Sequence, residues 1–540
     1  MTALLSQLRK SSLLPSALII TLLLALYGNS LWQLLRQQGD SNWLSILGEP
    51  YVRHVLFFSF WQALLSAVLS VSLGLLAAHA LFYQSFIGKR WLLKLFSLSM
   101  VLPVLVAIFG LLGIYGKVGW LAQFLNALAI DWRPNIYGLS GILIAHVFFN
   151  LPLAAKIFLH ALQSIPNQQR QLAAQLGVIH WHFIRRVEWA YVRTSLPSVF
   201  ALIFMLCFTS FTIVLTLGGG PKYTTLEVAI YQAVTFDFDL QRASIFALMQ
   251  FIFCFSLFAF SSRLSRPTPT SANSGQLYQL PMPAPIRIFQ SLMIALIVLF
   301  IALPLLNVLV SSLNWTAWHK SLGNPQLYKA LGFSLIIALC AGLLCLLMAV
   351  GLLIGARQFY WLEKTQIAAQ IVNTGMTILA VPTLVLAVGL FLLLQQFSIT
   401  TPMLFAIVVI CNALMAMPFA LRILAQPMYN NMTYYERLCQ SLGIRGWARL
   451  RHIEWHTIKQ PLQSAFALAS ALSLGDFTAI ALFGNQDFTS LPRLLYQQLG
   501  HYRSHEAAVT AFILLLFCAV IFILIERYQD HYDPTQKTLL

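Results

Sequence analysis

About twelve stretches of the chain stay apolar for long enough to cross a lipid bilayer, and this removes most folds from consideration. They lie near 13–35, 56–82, 95–116, 138–158, 198–219, 243–262, 288–313, 330–356, 367–394, 402–425, 464–484 and 508–525. A hydrocarbon core of roughly 30 Å takes about 20 residues of helix. Lipid offers no partner to an open N–H or C=O, so a spanning segment must be a helix or part of a closed barrel. Barrel strands are about 10 residues long and alternate in polarity, whereas these runs are longer and uniformly apolar. The expected class is an all-α integral membrane protein with about 12 transmembrane helices. Only 9% of the 540 residues are charged, where a soluble domain carries about 25%, and no polar stretch is long enough for a separate soluble domain. No small-residue cleavage site follows the first run, which reads as a retained helix and not as a signal peptide.

The formal net charge is +17. On a soluble protein that would suggest nucleic acid, but here the basic residues alternate by loop. Lys89, Arg90 and Lys94 fall on one side, with Arg170, Arg185, Arg186 and Arg193, then Arg263, Arg266 and Arg287. Arg357 and Lys364, the group Arg437, Arg445, Arg449 and Arg451, and Arg527 fall on the same side. The intervening loops are poorer, and the one near 396–401 has no Lys or Arg. The positive-inside rule puts both termini in the cytoplasm of a multi-pass inner-membrane protein. The expected non-protein partner is membrane lipid, and nucleic acid is not expected. Of seven cysteines, six lie in apolar runs and Cys439 lies in a cytoplasmic loop. None has metal-ligand spacing or an external position for a disulfide, so they read as small apolar packers, and no metal site is expected.

One cytoplasmic signature occurs twice. The first copy is Leu172-Ala173-Ala174-Gln175-Leu176-Gly177, nine residues, then Val187-Glu188-Trp189. The second is Leu438-Cys439-Gln440-Ser441-Leu442-Gly443, nine residues, then Ile453-Glu454-Trp455, an offset of 266 residues. Trp181 matches Trp447, Arg185 matches Arg451, Pro152 matches Pro418, Lys156 matches Arg422 and Ile157 matches Ile423 at the same offset. A repeat of this length is one unit used twice. The Pro- and Ser-rich stretch 263–287 reads as a cytoplasmic linker between a first repeat over 1–262 and a second over 288–540. Six helices precede the linker, so the two six-helix repeats are parallel, with a path expected between them. In each loop, Gly177 or Gly443 is expected to end a short helix in the left-handed conformation, letting the chain turn into a second helix. Arg185, Arg186, Arg449 and Arg451 are expected to stay in water or meet acidic groups of a partner. A single such loop would read as amphipathic helices lying among lipid head groups; two matched copies favour docking on a partner.

These loops, 171–190 and 437–456, resemble the EAA loops of permease subunits of bacterial ABC importers, whose pattern is Glu-Ala-Ala, three residues, Gly, nine residues, Ile-x-Leu-Pro. The glycine and the aliphatic residue match in both copies. Gln171 and Arg437 stand in place of the Glu, and Ala190 and His456 in place of the Pro. Fused two-repeat permeases of this length occur in the iron(III) and thiamine branches of that family. Leu102-Pro103-Val104-Leu105-Val106-Ala107, Phe204-Met205-Leu206-Cys207-Phe208, Leu217-Gly218-Gly219-Gly220-Pro221 and Ala229-Ile230-Tyr231-Gln232 resemble the thiamine branch. So do Ala481-Leu482-Phe483-Gly484-Asn485 and Tyr496-Gln497-Gln498-Leu499-Gly500. The resemblance implies the type I ABC importer permease fold and import of thiamine and its phosphates as small-molecule substrate. It also implies a periplasmic thiamine-binding protein and a homodimeric cytoplasmic ABC ATPase as partners. The chain itself would be no enzyme and would hold no cofactor, with ATP and Mg on the ATPase. The residues it implies for ATPase coupling are Gln171, Leu172, Ala173, Leu176, Gly177, Trp181, Arg185 and Glu188, and Arg437, Leu438, Leu442, Gly443, Trp447, Arg451 and Glu454. An iron(III) permease of the same architecture is the nearest alternative. A proton-driven secondary transporter would show more ionisable residues in its helices, and no catalytic cluster supports a membrane enzyme.

Asp476 lies inside an apolar run, with Ser210 as its repeat mate. A carboxylate at mid-membrane costs about 2.5–3.5 kcal/mol on insertion scales, so it should face a partner or the path. Asp476 and Thr478 in one repeat, and Ser210 and Thr212 in the other, are the expected path residues, with a structural interhelix bond as the alternative. His146 and its mate Asn412 read as interhelix hydrogen-bonding groups. His180 and His182 lack a third metal ligand. Gly218-Gly219-Gly220-Pro221-Lys222 lacks phosphate-loop spacing and reads as a turn. Pro103, Pro152, Pro382 and Pro418 are expected to kink their helices, and Trp120, Trp132, Trp315 and Trp318 to anchor at the membrane interface.

Overall fold

The structure, a computed structural model, describes residues 10–37, 46, 48–130, 134–264, 283–395, 400–444, 446–485 and 487–530. Among them the regular elements are all helical. The first half holds α1 (Lys10–Arg36), α2 (Pro50–Tyr83), α3 (Lys89–Val101), α4 (Val104–Tyr115), α5 (Trp120–Ala127) and α6 (Leu139–Gln163). It continues with α7 (Asn167–Gln175), α8 (His180–Phe183), α9 (Trp189–Phe208), α10 (Phe211–Leu217), α11 (Leu226–Thr235) and α12 (Leu240–Leu264). The second half holds α13 (Ala284–Ser311), α14 (Trp315–Leu322), α15 (Pro325–Trp361), α16 (Thr365–Gly375), α17 (Thr383–Leu394) and α18 (Thr401–Ser441). It ends with α19 (Gly446–Arg449), α20 (Trp455–Gly475), α21 (Thr478–Phe483), α22 (Leu491–Gly500) and α23 (Ser504–Asp530). Eleven helical segments among the described residues are long and apolar enough to span a membrane, and Thr383–Leu394 is a shorter apolar helix. Most of the expected linker, 265–282, lies outside the described residues, as does Trp132.

Four of the expected spans are not single helices. The run 95–116 breaks between α3 and α4 at Leu102-Pro103, and the run 367–394 breaks before α17 at Pro382. Proline lacks an N–H and pushes the residue before it into extended backbone; Leu102 sits at φ −62, ψ 132. Pro152 and Pro418, by contrast, lie within the continuous helices α6 and α18. The fifth span of each half is also interrupted, between α9 and α10 at Thr209-Ser210 and between α20 and α21 at Asp476-Phe477.

Each half gives its first helix to the other. α1 packs on α15 and α17, and α13 packs on α4 and α2. Water-driven burial is absent between helices in lipid, so association depends on close packing over small residues. A Cβ at Gly389 would stand 1.9 Å from Ser30 Oγ and 2.6 Å from the Ser30 carbonyl oxygen. Ser30 Oγ itself donates to the Leu386 carbonyl at 3.3 Å. At the matching crossing, a Cβ at Gly110 would stand 2.4 Å from the Pro304 carbonyl oxygen. Inside each half, polar side chains tie helices together. Ser66 Oγ and His146 Nδ1 lie 2.8 Å apart between α2 and α6. Asn412 donates from α18 to Ser473 Oγ on α20 at 2.9 Å. These are the interhelix bonds expected of His146 and Asn412. Six cysteines are buried; Cys340 is exposed on the outside of α15.

Gly389→Val and Gly110→Val should each lower stability by about 1–3 kcal/mol, because the close crossing cannot accept a side chain. Gly332→Ala, on the long helix α15 and with open space around it, should not. Thermal unfolding of the detergent-solubilised protein measures all three, and equal melting temperatures would refute the account of the crossings.

Candidate functional site

The two repeat loops fold alike from different approaches. In the first half Pro166 interrupts the helix and α7 starts afresh; in the second, α18 runs without a break to Ser441. Both helices then end in the same cap. Gly177 has φ 68 and Gly443 φ 65. The Val178 N–H bonds the Ala173 carbonyl at 2.8 Å, and the Ile444 N–H bonds the Cys439 carbonyl at 2.9 Å. The pattern is a Schellman cap, whose left-handed position suits glycine. A Cβ at either glycine would meet nothing within 4 Å, so backbone conformation, not space, is the demand there. After short α8 and α19, both chains pass through one π-helical turn, Ile184–Glu188 and Leu450–Glu454, before α9 and α20.

Each loop has an outer and an inner side. Leu172, Leu176 and Trp181 are 55%, 69% and 66% exposed, and Leu438 and Leu442 are 48% and 62% exposed. Gln171, Arg185, Arg437 and Arg451 are exposed beside them. Large apolar side chains grouped on the surface mark a contact site. The side chain of Trp447 lies outside the described residues.

Glu188 and Glu454 do not join that outer side, because the π-turn turns both inward; Ala173 is buried too. Glu188 accepts a hydrogen bond from the Tyr83 hydroxyl, and its other oxygen lies 3.5 Å from His79 Nε2. Gln290, on α13 of the other half, lies 3.2 Å from His79 Nδ1. Glu454 is held by two arginines, Arg449 Nε at 2.7 Å and Arg357 Nη2 at 3.0 Å, while Arg449 also pairs with Glu436. Arg449, expected in water, is therefore buried and paired within the loop. Burial alone would lower its pKa, but the Glu436 hydrogen bond and the charges of Glu436 and Glu454 prevail and hold it above the ordinary value. In the first loop Arg170 occupies the position matching Glu436. It is buried over the Phe82 ring and donates to the Leu162 and Ile165 carbonyls. Desolvation prevails there and lowers its pKa, with Tyr83 and Glu188 opposing. His79, Tyr83, Arg170, Arg357 and Glu436 were not singled out as site residues by sequence reasoning. The available signal was a charged or polar residue ending each long apolar run just where the repeat loop returns.

The expected path residues gather at the helix breaks. Asp476, half-buried, accepts the Thr478 and Ala479 N–H groups at 3.3 and 3.5 Å, and so caps α21. Ser210 stands at the matching break without a side-chain cap; Thr212 is buried and Thr478 half-buried. Among the described residues no group of three His, Cys, Asp or Glu side chains is placed to hold a metal.

Two parallel repeats with matched loops are found in a known family. The chain matches the binding-protein-dependent transport system inner membrane component over residues 70–267 and 348–538. It belongs to that family. It is 55% identical to the thiamine transport system permease protein ThiP of Haemophilus influenzae over 532 residues, 98% of each chain. It is 46% identical to that of Escherichia coli over 517 residues, 95% of this chain and 96% of the other. With that of Brucella abortus it shares 40% over 518 residues, 94% of each. The chain is thus a multi-pass permease of the binding-protein-dependent class.

Glu454→Ala would leave Arg449 and Arg357 buried without their shared carboxylate, a loss of about 3–5 kcal/mol. Glu188→Ala removes a carboxylate whose direct partners are Tyr83 and His79, with no arginine in ion-pair contact among the described residues, and should cost less. Protease susceptibility of the two loops in the purified variants orders the losses; a first loop loosened as much as the second would refute the difference.

Proposed function

We propose that this chain is the membrane subunit of an ABC import complex that carries thiamine and its phosphates across a bacterial inner membrane. The reading is carried by the twin loops, each capped by a left-handed glycine and each presenting apolar side chains outward. A separate homodimeric cytoplasmic ATPase receives one loop in each subunit, and a periplasmic binding protein delivers the ligand to the opposite face. ATP and Mg belong to that ATPase, and this chain is not an enzyme. Both termini lie in the cytoplasm, following the charge of the loops. The cargo follows from the full-length relatives, whose names specify thiamine; nothing in them favours an iron(III) cargo.

ATP-driven closure of the ATPase dimer displaces the two loops, and the halves rock as rigid bodies about their interface. Coupling requires that each partner bind the two arrangements unequally. The outer residues Gln171, Leu172, Leu176, Trp181 and Arg185, and Arg437, Leu438, Leu442, Trp447 and Arg451, make the contact. Glu188 and Glu454 transmit its motion into α2 and α15. Asp476, Thr478, Ser210 and Thr212 line the path at the helix breaks.

Uptake of labelled thiamine should be lost in a strain lacking this gene and restored with it, with the binding protein and ATPase verified in both. No difference would refute thiamine as cargo. Gly177→Val combined with Gly443→Val should abolish uptake while leaving membrane insertion unchanged, because a β-branched residue at positive φ costs about 1–2 kcal/mol or more at each cap. Leu176→Asp combined with Leu442→Asp should abolish copurification of the ATPase; an intact complex would place the contact elsewhere.

A further inference from the structure

Four aromatic rings form a chain across the interface of the halves. Tyr231 and Phe211 come from the first half, Phe477 and Tyr496 from the second. Phe211 and Phe477 stand at the same offset of 266 residues as the repeat loops. Their rings stack across the interface with centroids 6.1 Å apart and planes 17° apart. Each is flanked within its own half: Tyr231 lies edge-on to Phe211 at 5.2 Å, and Tyr496 is tilted against Phe477 at 4.9 Å. Both phenylalanines are 2% exposed. Helix α9 has 20 residues, which at a rise of 1.5 Å per residue carries the chain about 30 Å from its repeat loop. The stacked pair therefore closes the interface near the membrane face opposite the loops.

Two carboxylates attend this closure. Asp476 is the immediate neighbour of Phe477, and Glu227 lies one helical turn before Tyr231 on α11. Glu227 is buried and accepts a hydrogen bond from Gln250 at 2.6 Å. Among the described residues neither carboxylate has a cationic partner within 4 Å. A buried and a half-buried carboxylate without counter-ions are costly in a membrane protein and mark an ion or substrate pathway. Aromatic faces and carboxylates together attract an organic cation, the faces through their quadrupole and the carboxylates through charge.

We infer that Phe211 and Phe477 are the gate on this face, and that on parting they and the two tyrosines become a clamp for a cationic ring, with Asp476 and Glu227 as its counter-charges. The inference rests on the thiamine reading, since thiamine carries a permanently charged thiazolium. The gate closes by ring stacking when no ligand is present, and the stacking faces it gives up on opening are replaced by those of the cargo. Selection for positive charge is then built into the permease as well as into the binding protein.

The test uses the complete complex in vesicles with saturating loaded binding protein, measuring thiamine accumulated per ATP hydrolysed. Phe211→Leu combined with Phe477→Leu keeps the apolar volume and removes the π faces. That pair, and separately Asp476→Asn combined with Glu227→Gln, should each lower the ratio by about tenfold, while ATP hydrolysis stimulated by the binding protein persists. Phe211→Ala combined with Phe477→Ala should let trapped thiamine escape about tenfold faster than trapped neutral sucrose, and adding the Asn and Gln substitutions should remove that preference. Wild-type ratios in the Leu pair and in the Asn–Gln pair, beside a wild type that accumulates thiamine, would overturn the clamp alone. A wild type that hydrolyses ATP and accumulates no thiamine would overturn the cargo reading with it.

Discussion

A backbone amide inside a bilayer has no water to bond, and the rest of the structure follows from how each one is satisfied. Where the helices are continuous the answer is local. Where they break, at Pro103 and Pro382 and at the two interruptions of the fifth spans, irregular backbone must be buried in protein or lie against the path. The breaks are where neighbouring elements meet. Gly475, just before Asp476, lies so close to Pro103 that a Cβ would stand 3.1 to 3.3 Å from the proline. Asp476 itself caps the following helix. The same carboxylate that satisfies the break is thereby fixed beside Phe477, where the two halves meet.

The crossing of the first helices serves a second purpose. α1 and α13 bind the halves together. Each lies on the long helix that also holds its neighbour's repeat loop. In the first half the connection is explicit: Glu188, His79 and Gln290 form a polar chain from the loop, through α2, to α13 of the other half. In the second half, Arg357 joins Glu454 to α15, against which α1 packs through Gly351 and Gly355. Each loop is thus joined by contacts to elements of both halves.

The two loops are alike outside and unlike inside. Their caps, π-turns and exposed leucines match. Their fastenings do not match. A buried network of two arginines and two glutamates secures one, and a tyrosine, a histidine and an arginine over a phenyl ring secure the other. Divergence of this kind is tolerated where a residue meets only its own chain.

By itself the sequence determined the class of fold, the number of spans to within a broken one, the two parallel repeats and the place of the left-handed glycines. Each of these depends on local composition or on a position compared with its own copy, so neighbours in space are not needed to see it. Gly177 and Gly443 were legible because a helix that must stop and turn sharply has few other residues to use. The exchange of α1 and α13 was decided only in the tertiary structure. So were the inward turn of Glu188 and Glu454, the burial of Arg449 and the ring chain across the interface. In each case the partner lies far away in sequence, and the energy comes from contact: a glycine against a helix backbone, a carboxylate between two guanidinium groups, one phenyl ring against another. Composition shows that such groups exist; only the packing shows which of them meet.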